Sequence, residues 1–366
     1  MTDKQPKPAD INANTIEALR WAIDQTDEQI VALLNQRAEL AHRIGQLKGA
    51  SDSVTFVPAR ERAVLDHAVS VSTGPLPEEA IRGVFQQIIA ASRNLEQAVS
   101  VAYFGPEFSF THYAAMQRFG TTARLVATDS IPEVIGLVEH KTVHYGVVPI
   151  ENSTEGVIRE TLDALYRSTL KIADELSVSL SHSLWGCGTL EGITVVHSHP
   201  QALAQCRTWL HTHLPRATQI VSANTARAAE EVAGHPEAAA ICHPLAGERY
   251  GLTQLVDHIE DSPYNRTRFS VIGPAMSKPS GHDKTSLVFS VKHAAGSLNK
   301  ALNVLEEHHI NLTLIESRPT KEMPWEYLFY VDIQGHIDEP NIATALDELR
   351  NYCSFLRIFG SYPEAS

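Results

Sequence analysis

The feature that most constrains this chain is a long run of apolar residues at helical spacing near its start. From Ile16 to Gly49 the apolar side chains keep near-helical spacing, and Asn14 with Glu17 predicts the N-cap. A helix over residues 15–48 would be about 50 Å long at 1.5 Å per residue. Because a compact small domain cannot enclose it, such a helix usually packs against a partner helix, often from another chain.

The 366 residues divide into three regions that differ in composition and hydrophobic pattern. Residues 12–97 are rich in Leu, Ala, Ile and Gln and nearly free of glycine, which predicts an all-α domain. Residues 98–279 alternate short apolar runs with helical stretches, which predicts an α/β domain ending in a linker over 274–281. Residues 282–363 predict the order βαββαβ of a ferredoxin-like domain.

The charge balance limits the classes of ligand. The chain has 30 basic and 43 acidic residues, a formal net charge of −13, and 43% hydrophobic residues. This composition is typical of a folded globular protein. Its acidity argues against a general nucleic-acid or anionic-membrane binder, since both need a cationic surface. Small anionic substrates remain possible because a pocket can be locally cationic.

The N-terminus and the cysteines indicate the cytoplasm. Residues 1–12 lack the apolar stretch of a secretory signal, and no run approaches the roughly 18 apolar residues of a membrane span. The four cysteines form no Cys-x-x-Cys pair, which favours free thiols in a reducing compartment. The histidines show no His-Glu-x-x-His pattern. We therefore expect a cytoplasmic protein with no metal site and no cofactor.

Cations on the first predicted helix could form an anion site. Arg37 and Lys48 are separated by about three turns, so they point the same way roughly 16 Å apart and could hold a small dianion. Arg20 lies about 25 Å from Arg37 and roughly 100° off that face. If Arg20 serves the same ligand, it must come from a second subunit. The alternative is that all three are solvated surface charges.

The helical region resembles the all-α chorismate mutase domain over residues 15–97. The matching pattern is Leu19-Arg20, Asp27, Leu33-Leu34, Arg37, Leu40-Ala41, Ile44-Gly45, Lys48, Pro58-x-Arg60-Glu61 and Phe85-Gln86-x-Ile88-Ile89-x-x-Ser92. The resemblance implies a site between two intertwined subunits. It also implies that the two carboxylates are held by Arg20 of the partner, Arg37 and Arg60, the ether oxygen by Lys48, and the ring hydroxyl region by Glu61 and Ser92.

Two residues depart from that pattern. Glu96 stands where some relatives have Gln and others Glu, and it must be protonated to donate to the ether oxygen. We therefore predict that mutase activity falls as the pH rises and Glu96 loses that proton. Glu96→Gln should restore the activity. Val57 stands where some relatives have Asp, so we expect one polar contact to the substrate to be missing.

The middle region repeats a strand followed by a hydroxyl-rich loop. The four repeats are Val101–His112, Val147–Gly156, Val195–Gln201 and Ser222–Ala226. Such loops at strand ends bind ligands in open α/β sheets, and a helix N-terminus suits a carboxylate. Four ordinary turns with Ser or Thr caps are the alternative. The repetition favours a hydroxyl-lined cleft.

The same region resembles prephenate dehydratase over about 180 residues, with two α/β lobes like those of periplasmic binding proteins. The motifs are Val148-Pro-Ile-Glu-Asn152, Ser198-His-Pro-Gln201, Tyr250-Gly-Leu252 and Asn265-x-Thr267-Arg268-Phe269. The resemblance implies that Thr267 is the catalytic hydroxyl. It implies substrate contacts from Ser109, Asn152, Ser198, Gln205, Arg268 and Phe269. Because a neutral hydroxyl is a weak acid, we expect Thr267 to orient and hydrogen-bond the leaving hydroxyl.

Phe108 departs from the Gly-Pro-x-Gly turn that relatives usually have. If this position requires a positive φ, a phenylalanine there is strained, because only glycine adopts that conformation at little cost.

The C-terminal region resembles an ACT domain, a small-ligand regulatory module, over residues 284–362. Ala295-Gly-Ser-Leu298 and Glu316-Ser-Arg-Pro319 match its phenylalanine-binding segments. The resemblance implies an effector site formed by Gly296, Ser297, Leu298, Glu316, Ser317, Arg318 and Pro319. The alternative is a purely structural dimerisation unit.

Together these resemblances place the chain among the bifunctional chorismate mutase–prephenate dehydratases. They imply chorismate and prephenate as substrates, phenylalanine as inhibitor, and a homodimer or larger assembly that binds neither nucleic acid nor membranes. Two alternatives remain open: an arogenate dehydratase and a non-catalytic phenylalanine-binding regulatory protein.

Overall fold

The structure is a computed structural model that describes residues 15–48, 56–262, 264–320 and 326–365. It contains a helical domain, a two-lobed α/β domain and a C-terminal α+β domain, as the sequence predicts. The predicted N-cap Asn14 lies outside the described residues. Thr15 takes a capping role, because its Oγ1 accepts the backbone N–H of Ala18 at 3.2 Å.

Three helices form the N-terminal domain: α1 Ile16–Lys48, α2 Pro58–Ser70 and α3 Glu78–Glu96. The 33 residues of α1 confirm the predicted long helix. Pro58 opens α2, where its missing N–H has no intrahelical partner to lose. α1 passes close to the end of α3 at Gly45, where an added Cβ would lie 3.2 Å from Cγ of Glu96.

The first lobe of the α/β domain has a mixed sheet in the order β2-β1-β3-β11-β5, with β4 beside β3. β3 is buried along nearly its whole length, as expected for an apolar strand covered on both faces. The elements are β1 Ser100–Phe104, α4 Phe110–Phe119, β2 Arg124–Thr128, α5 Ile131–Glu139, β3 Tyr145–Asn152, β4 Gly156–Val157, α6 Arg159–Arg167, β5 Lys171–Ser179 and β11 Arg266–Gly273.

The second lobe has a sheet in the order β10-β6-β9-β7-β8. Two short crossovers, residues 180–182 and 257–265, join it to the first lobe. The elements are β6 Ser183–Gly186, β7 Val195–Ser198, α7 Pro200–Gln205, α8 Arg207–His213, β8 Thr218–Val221, α9 Thr225–Val232, β9 Ala238–Cys242, α10 Pro244–Arg249 and β10 Thr253–Val256.

The C-terminal domain has the predicted βαββαβ order and an antiparallel sheet in the order β13-β14-β12-β15. The elements are β12 Asp283–Val291, α11 Ser297–Glu307, β13 Leu312–Pro319, β14 Tyr327–Gln334, α12 Pro340–Arg350 and β15 Cys353–Pro363.

The C-terminal domain packs tightly on the first lobe. Lys171 of β5 donates to the carbonyl of Ile358 in β15 at 2.8 Å. At Gly360 the backbones come so close that an added Cβ would lie 2.1 Å from the carbonyl oxygen of Ile172. Only glycine fits there, so β15 lies directly against the lobe that carries β11.

Candidate active sites and effector site

The Thr267 hydroxyl lies in a buried amide cluster at the junction of the two lobes. Asn152, at the end of β3, donates from Nδ2 to Thr267 Oγ1 at 2.9 Å and to Asn265 Oδ1 at 3.1 Å. β3 and β11 pair antiparallel with Thr267 opposite Asn152, so the sheet register itself brings the two side chains together. Both residues are at most 5% exposed.

The second lobe contributes Gln205 from the last turn of α7. Asn265 donates from Nδ2 to Gln205 Oε1 at 2.9 Å, and Gln205 Nε2 reaches Thr154 Oγ1 at 3.2 Å. His182, in the first crossover, contacts the same Oε1 from Nε2 at 2.8 Å. The structure therefore joins three residues singled out from the sequence, Asn152, Gln205 and Thr267, into one network.

Ser109 and Ser198 have structural partners of their own. Ser109 caps α4, with its Oγ accepting the N–H of His112 at 3.2 Å. Ser198, fully buried at the end of β7, donates to the carbonyl of Ile241 at 2.7 Å. That bond uses its hydroxyl proton, so the remaining capacity of Ser198 towards a ligand is as an acceptor.

Phe108 has a φ of 65°, in the left-handed region that favours glycine. Its N–H donates to His112 Nδ1 at 2.8 Å, and the two rings meet edge to face at 5.7 Å. The strained geometry expected at this position is present, and contacts with His112 accompany it.

Arg268 and Phe269 lie away from the amide cluster. The Arg268 guanidinium donates to Glu151 at 2.6 Å, Glu175 at 2.7 Å and Asp332 at 3.2 Å. Burial disfavours its charge, but Glu175 and Asp332 raise the pKa of Arg268 above its ordinary value. Phe269, 1% exposed, belongs to the apolar core of the first lobe.

In the helical domain, Arg37 and Ser92 meet directly. Arg37 Nη1 donates to Ser92 Oγ at 2.6 Å, which joins α1 to α3. Burial and the nearby charge of Arg60 lower the pKa of Arg37, whereas Glu96 raises it, so Arg60 and Glu96 act electrostatically on the same group. Four of the predicted mutase residues are thus brought into one neighbourhood.

Arg20 and Lys48 are placed only by their helix. Arg20 is exposed on α1, seventeen residues before Arg37, and the two are about 25 Å apart along the axis. Lys48 ends α1, and its side chain lies outside the described residues.

Glu61 faces the α/β domain. Its two oxygens accept from Arg93 and Arg118, each at 2.6 Å, and Arg118 also pairs with Asp174. The two guanidinium groups lie over the ring of Phe56, at 5.1 and 4.6 Å from its centre. Glu61 therefore holds the helical and α/β domains together, and both of its oxygens are engaged.

The predicted effector segments lie at two places in the C-terminal domain. Gly296, with φ of 81°, precedes Ser297 and Leu298 at the start of α11. Glu316, Ser317, Arg318 and Pro319 end β13 at the edge of the sheet. Arg318 forms a two-pronged ion pair with Asp163 of α6, at 2.6 and 3.1 Å, so one of these segments contacts the dehydratase-like lobe directly.

The described residues offer neither a membrane-spanning helix nor a metal site. No helix among them is long and apolar enough to cross a membrane. In the same part of the chain, no three His, Cys, Asp or Glu side chains come together as metal ligands.

Comparison with known proteins agrees with this arrangement. The family model for chorismate mutase type II matches residues 19–97. The family model for prephenate dehydratase matches residues 101–277, and the one for the ACT domain matches residues 285–351. A solved prephenate dehydratase from Arthrobacter aurescens, in complex with L-Phe, is 33% identical with a TM-score of 0.68. The match covers 73% of this chain and 90% of that one.

Two curated relatives match nearly the whole chain, and both are named bifunctional chorismate mutase/prephenate dehydratase. The protein from Aquifex aeolicus (strain VF5) is 42% identical over 96% of this chain and 98% of its own length. The one from Neisseria gonorrhoeae (strain ATCC 700825 / FA 1090) is 42% identical over 94% and 96%. Because these matches span all three domains, the chain belongs to the bifunctional chorismate mutase/prephenate dehydratase family.

Proposed function

We propose that this enzyme converts chorismate to prephenate in the helical domain and prephenate to phenylpyruvate between the two α/β lobes, under feedback inhibition by phenylalanine. The limits proposed for the three units are residues 12–97, 98–279 and 282–363. The observation that carries the proposal is the amide cluster around Thr267, which gathers residues from both lobes.

The mutase reaction is an intramolecular rearrangement that needs no nucleophile. The protein accelerates it by holding the compact conformer and by stabilising negative charge on the breaking ether oxygen. Arg37 and Arg60 lie near each other and suit the two substrate carboxylates, since guanidinium binds carboxylate through two hydrogen bonds. Lys48 and a protonated Glu96 are assigned to the ether oxygen, and Ser92 to the ring hydroxyl.

The mutase site is completed by a second copy of the chain. In a single chain α1 leaves nine large apolar side chains between 47% and 87% exposed: Ile16, Leu19, Ile23, Ile30, Val31, Leu33, Leu40, Ile44 and Leu47. So large an apolar surface marks an interface. An antiparallel partner helix would cover this apolar surface and bring the partner's Arg20 towards Arg37. Arg20 of the same chain cannot reach Arg37.

In the dehydratase reaction, prephenate loses CO2 and its ring hydroxyl, and the leaving hydroxyl needs hydrogen-bond assistance. Asn152 donates to Thr267 Oγ1, so the proton of Thr267 is free to point at the substrate. The residues around it, Asn152, Asn265 and Gln205, are neutral. A cation there would stabilise the departing carboxylate more in the ground state than in the transition state.

Feedback inhibition requires phenylalanine to bind the less active state of the enzyme better than the more active one. Two contacts support a physical connection between the ACT domain and the dehydratase site. Arg318, in an effector segment, pairs with Asp163 of α6. Asp332 of β14 pairs with Arg268, the neighbour of Thr267.

The test is a two-step assay from chorismate, with and without phenylalanine. We expect transient prephenate, then phenylpyruvate, and slower phenylpyruvate formation when phenylalanine is added. Parallel assays with prephenate and arogenate should show turnover of prephenate. No product from chorismate or prephenate would contradict the proposal, and a preference for arogenate would reassign the second reaction.

A further inference from the structure

The donor and acceptor ends of the amide side chains around Thr267 can be assigned, because backbone N–H groups fix the orientation of the first amide. Asn152 Oδ1 accepts the backbone N–H groups of Thr154 at 3.0 Å and Glu155 at 3.2 Å. A backbone N–H can only donate, so this side of the amide must be the oxygen. The nitrogen of Asn152 therefore faces Thr267 and Asn265 and donates to both.

The assignment continues through the next two amides. Asn265 accepts from Asn152 at Oδ1, so its Nδ2 must donate, and it does so to Gln205 Oε1 at 2.9 Å. Gln205 Nε2 then donates to Thr154 Oγ1 at 3.2 Å, and the Thr154 hydroxyl donates to Asn152 Oδ1 at 2.5 Å. Each hydrogen bond of this ring therefore runs from a donor to an acceptor.

His182 closes the network from the crossover between the lobes. Its Nε2 lies 2.8 Å from Gln205 Oε1, which can only accept, so Nε2 must carry the proton. The residue is 2% exposed, and among the described residues Nδ1 has no hydrogen-bond partner. Nδ1 is then an unpaired acceptor, and the imidazole meets the Phe110 ring edge to face with the two ring centres 5.8 Å apart.

The surroundings of His182 keep the imidazole neutral. Burial lowers the pKa of His182, against smaller opposing effects of Gln205 and Glu260. Glu260 is engaged with the backbone N–H of His182 at 2.9 Å rather than with its ring. A proton on Nδ1 instead of Nε2 would set the Nε2 lone pair against the oxygen of Gln205 and favour rotation of that amide.

We propose that His182 is a positioning residue for the dehydratase reaction. Its Nε2–H holds Gln205 with the amide oxygen towards Asn265 and the amide N–H groups towards Thr154 and the cleft. Prephenate is a dianion, so N–H groups attract it, whereas a rotated Gln205 would present an oxygen and repel it. This role rests on the proposed dehydratase function.

The test uses two substitutions whose amide nitrogens lie at different distances from the backbone. The nitrogen of His182→Gln can occupy the place of Nε2 and donate to Gln205, whereas that of His182→Asn lies near the place of Nδ1. We expect His182→Asn to lower kcat/KM for prephenate by about 10- to 100-fold, the cost of an unpaired buried polar group. His182→Gln should stay within about threefold of wild type. Equal losses in the two variants, or no loss in either, would overturn the role of His182.

Two further measurements separate this idea from misfolding and from the proposed function. Mutase activity from chorismate should stay at the wild-type level in both variants and reports that the helical domain has folded. Long-range nitrogen-proton NMR of the wild-type enzyme reads the His182 tautomer directly, with the variants identifying its signal. Protonation at Nδ1 would refute the inference even if prephenate is turned over. A wild-type enzyme inert towards prephenate would instead refute the proposed function.

Discussion

The Nη2 of Arg268 lies 3.2 Å from Oδ2 of Asp332, which joins the strand carrying Thr267 to the centre of the C-terminal sheet. Successive residues of a strand point to opposite faces. Thr267 therefore faces the cleft, while Arg268 reaches the C-terminal domain. A displacement of β14 would act on the strand one residue from the candidate catalytic hydroxyl.

Removing the charge of Asp332 should weaken feedback inhibition. Asp332→Asn loses the ion pair to Arg268, so we expect the phenylalanine concentration for half inhibition to rise about fivefold or more, the usual scale of allosteric coupling. Asp338→Asn is the matched control, because this carboxylate of the same domain has a 69% exposed side chain. Inhibition curves of prephenate turnover measure both. An unchanged curve for Asp332→Asn would show that the signal does not pass through this pair.

Mixing two inactive mutase variants should restore activity if Arg20 acts across a dimer. Arg20→Ala and Arg37→Ala each disable both sites of their own homodimer, whereas a mixed dimer keeps one site with both arginines. After subunit exchange at equal amounts, half of the dimers are mixed, and we expect about a quarter of wild-type mutase activity. Activity that stays at the level of the separate variants would place Arg20 and Arg37 in the same chain's site, or Arg20 outside any site.

The pH dependence of the mutase reaction should follow the proton of Glu96. The protonated acid can donate to the ether oxygen and the carboxylate cannot, so activity should be highest at low pH and fall as pH rises. Glu96→Gln donates at every pH, so its profile should be flat and its activity at high pH greater than that of wild type. Dehydratase rates of the same variant serve as the control. Flat profiles in both proteins would exclude this role.

Phe108 should invert the usual order of alanine and glycine. Phe108→Ala and Phe108→Gly both lose the ring contact with His112, but only alanine keeps a Cβ at a φ of 65°. We expect the glycine variant to be about 1 kcal/mol more stable, because the left-handed conformation costs roughly that much for other residues. Met116 lies inside α4, so Met116→Ala should be more stable than Met116→Gly, the ordinary order in a helix. Thermal unfolding compares the four variants, and a more stable alanine at position 108 would argue against strain there.

The elements that follow from short-range pattern could be predicted from the sequence. The apolar spacing of α1, the βαββαβ order of the last domain and the strain at Phe108 depend on neighbouring residues or on one backbone angle. Side chains alternate between the two faces of a strand, so the sequence could also have predicted that Arg268 lies on the face of β11 opposite Thr267.

The contacts made by distant residues could not be predicted in this way. His182 and Gln205 are 23 positions apart and meet only when the crossover folds against α7. Asn265 lies within a recognised motif, but its partners come from both lobes. Glu61 matches the mutase pattern, yet its carboxylate meets Arg118 of the next domain, 57 positions away. Such pairings require the packed tertiary structure.

The most direct measurement is the progress curve of Thr267→Val supplied with chorismate. Valine keeps the shape of threonine and removes its hydroxyl, so prephenate should accumulate at the wild-type mutase rate. Phenylpyruvate formation should fall by about a hundredfold or more, the usual cost of removing a positioned hydrogen-bond donor from an active site. Arg37→Ala should behave in the opposite way, inactive from chorismate and normal from prephenate. Phenylpyruvate appearing from Thr267→Val at the wild-type rate would contradict two separate sites with Thr267 at the centre of the second.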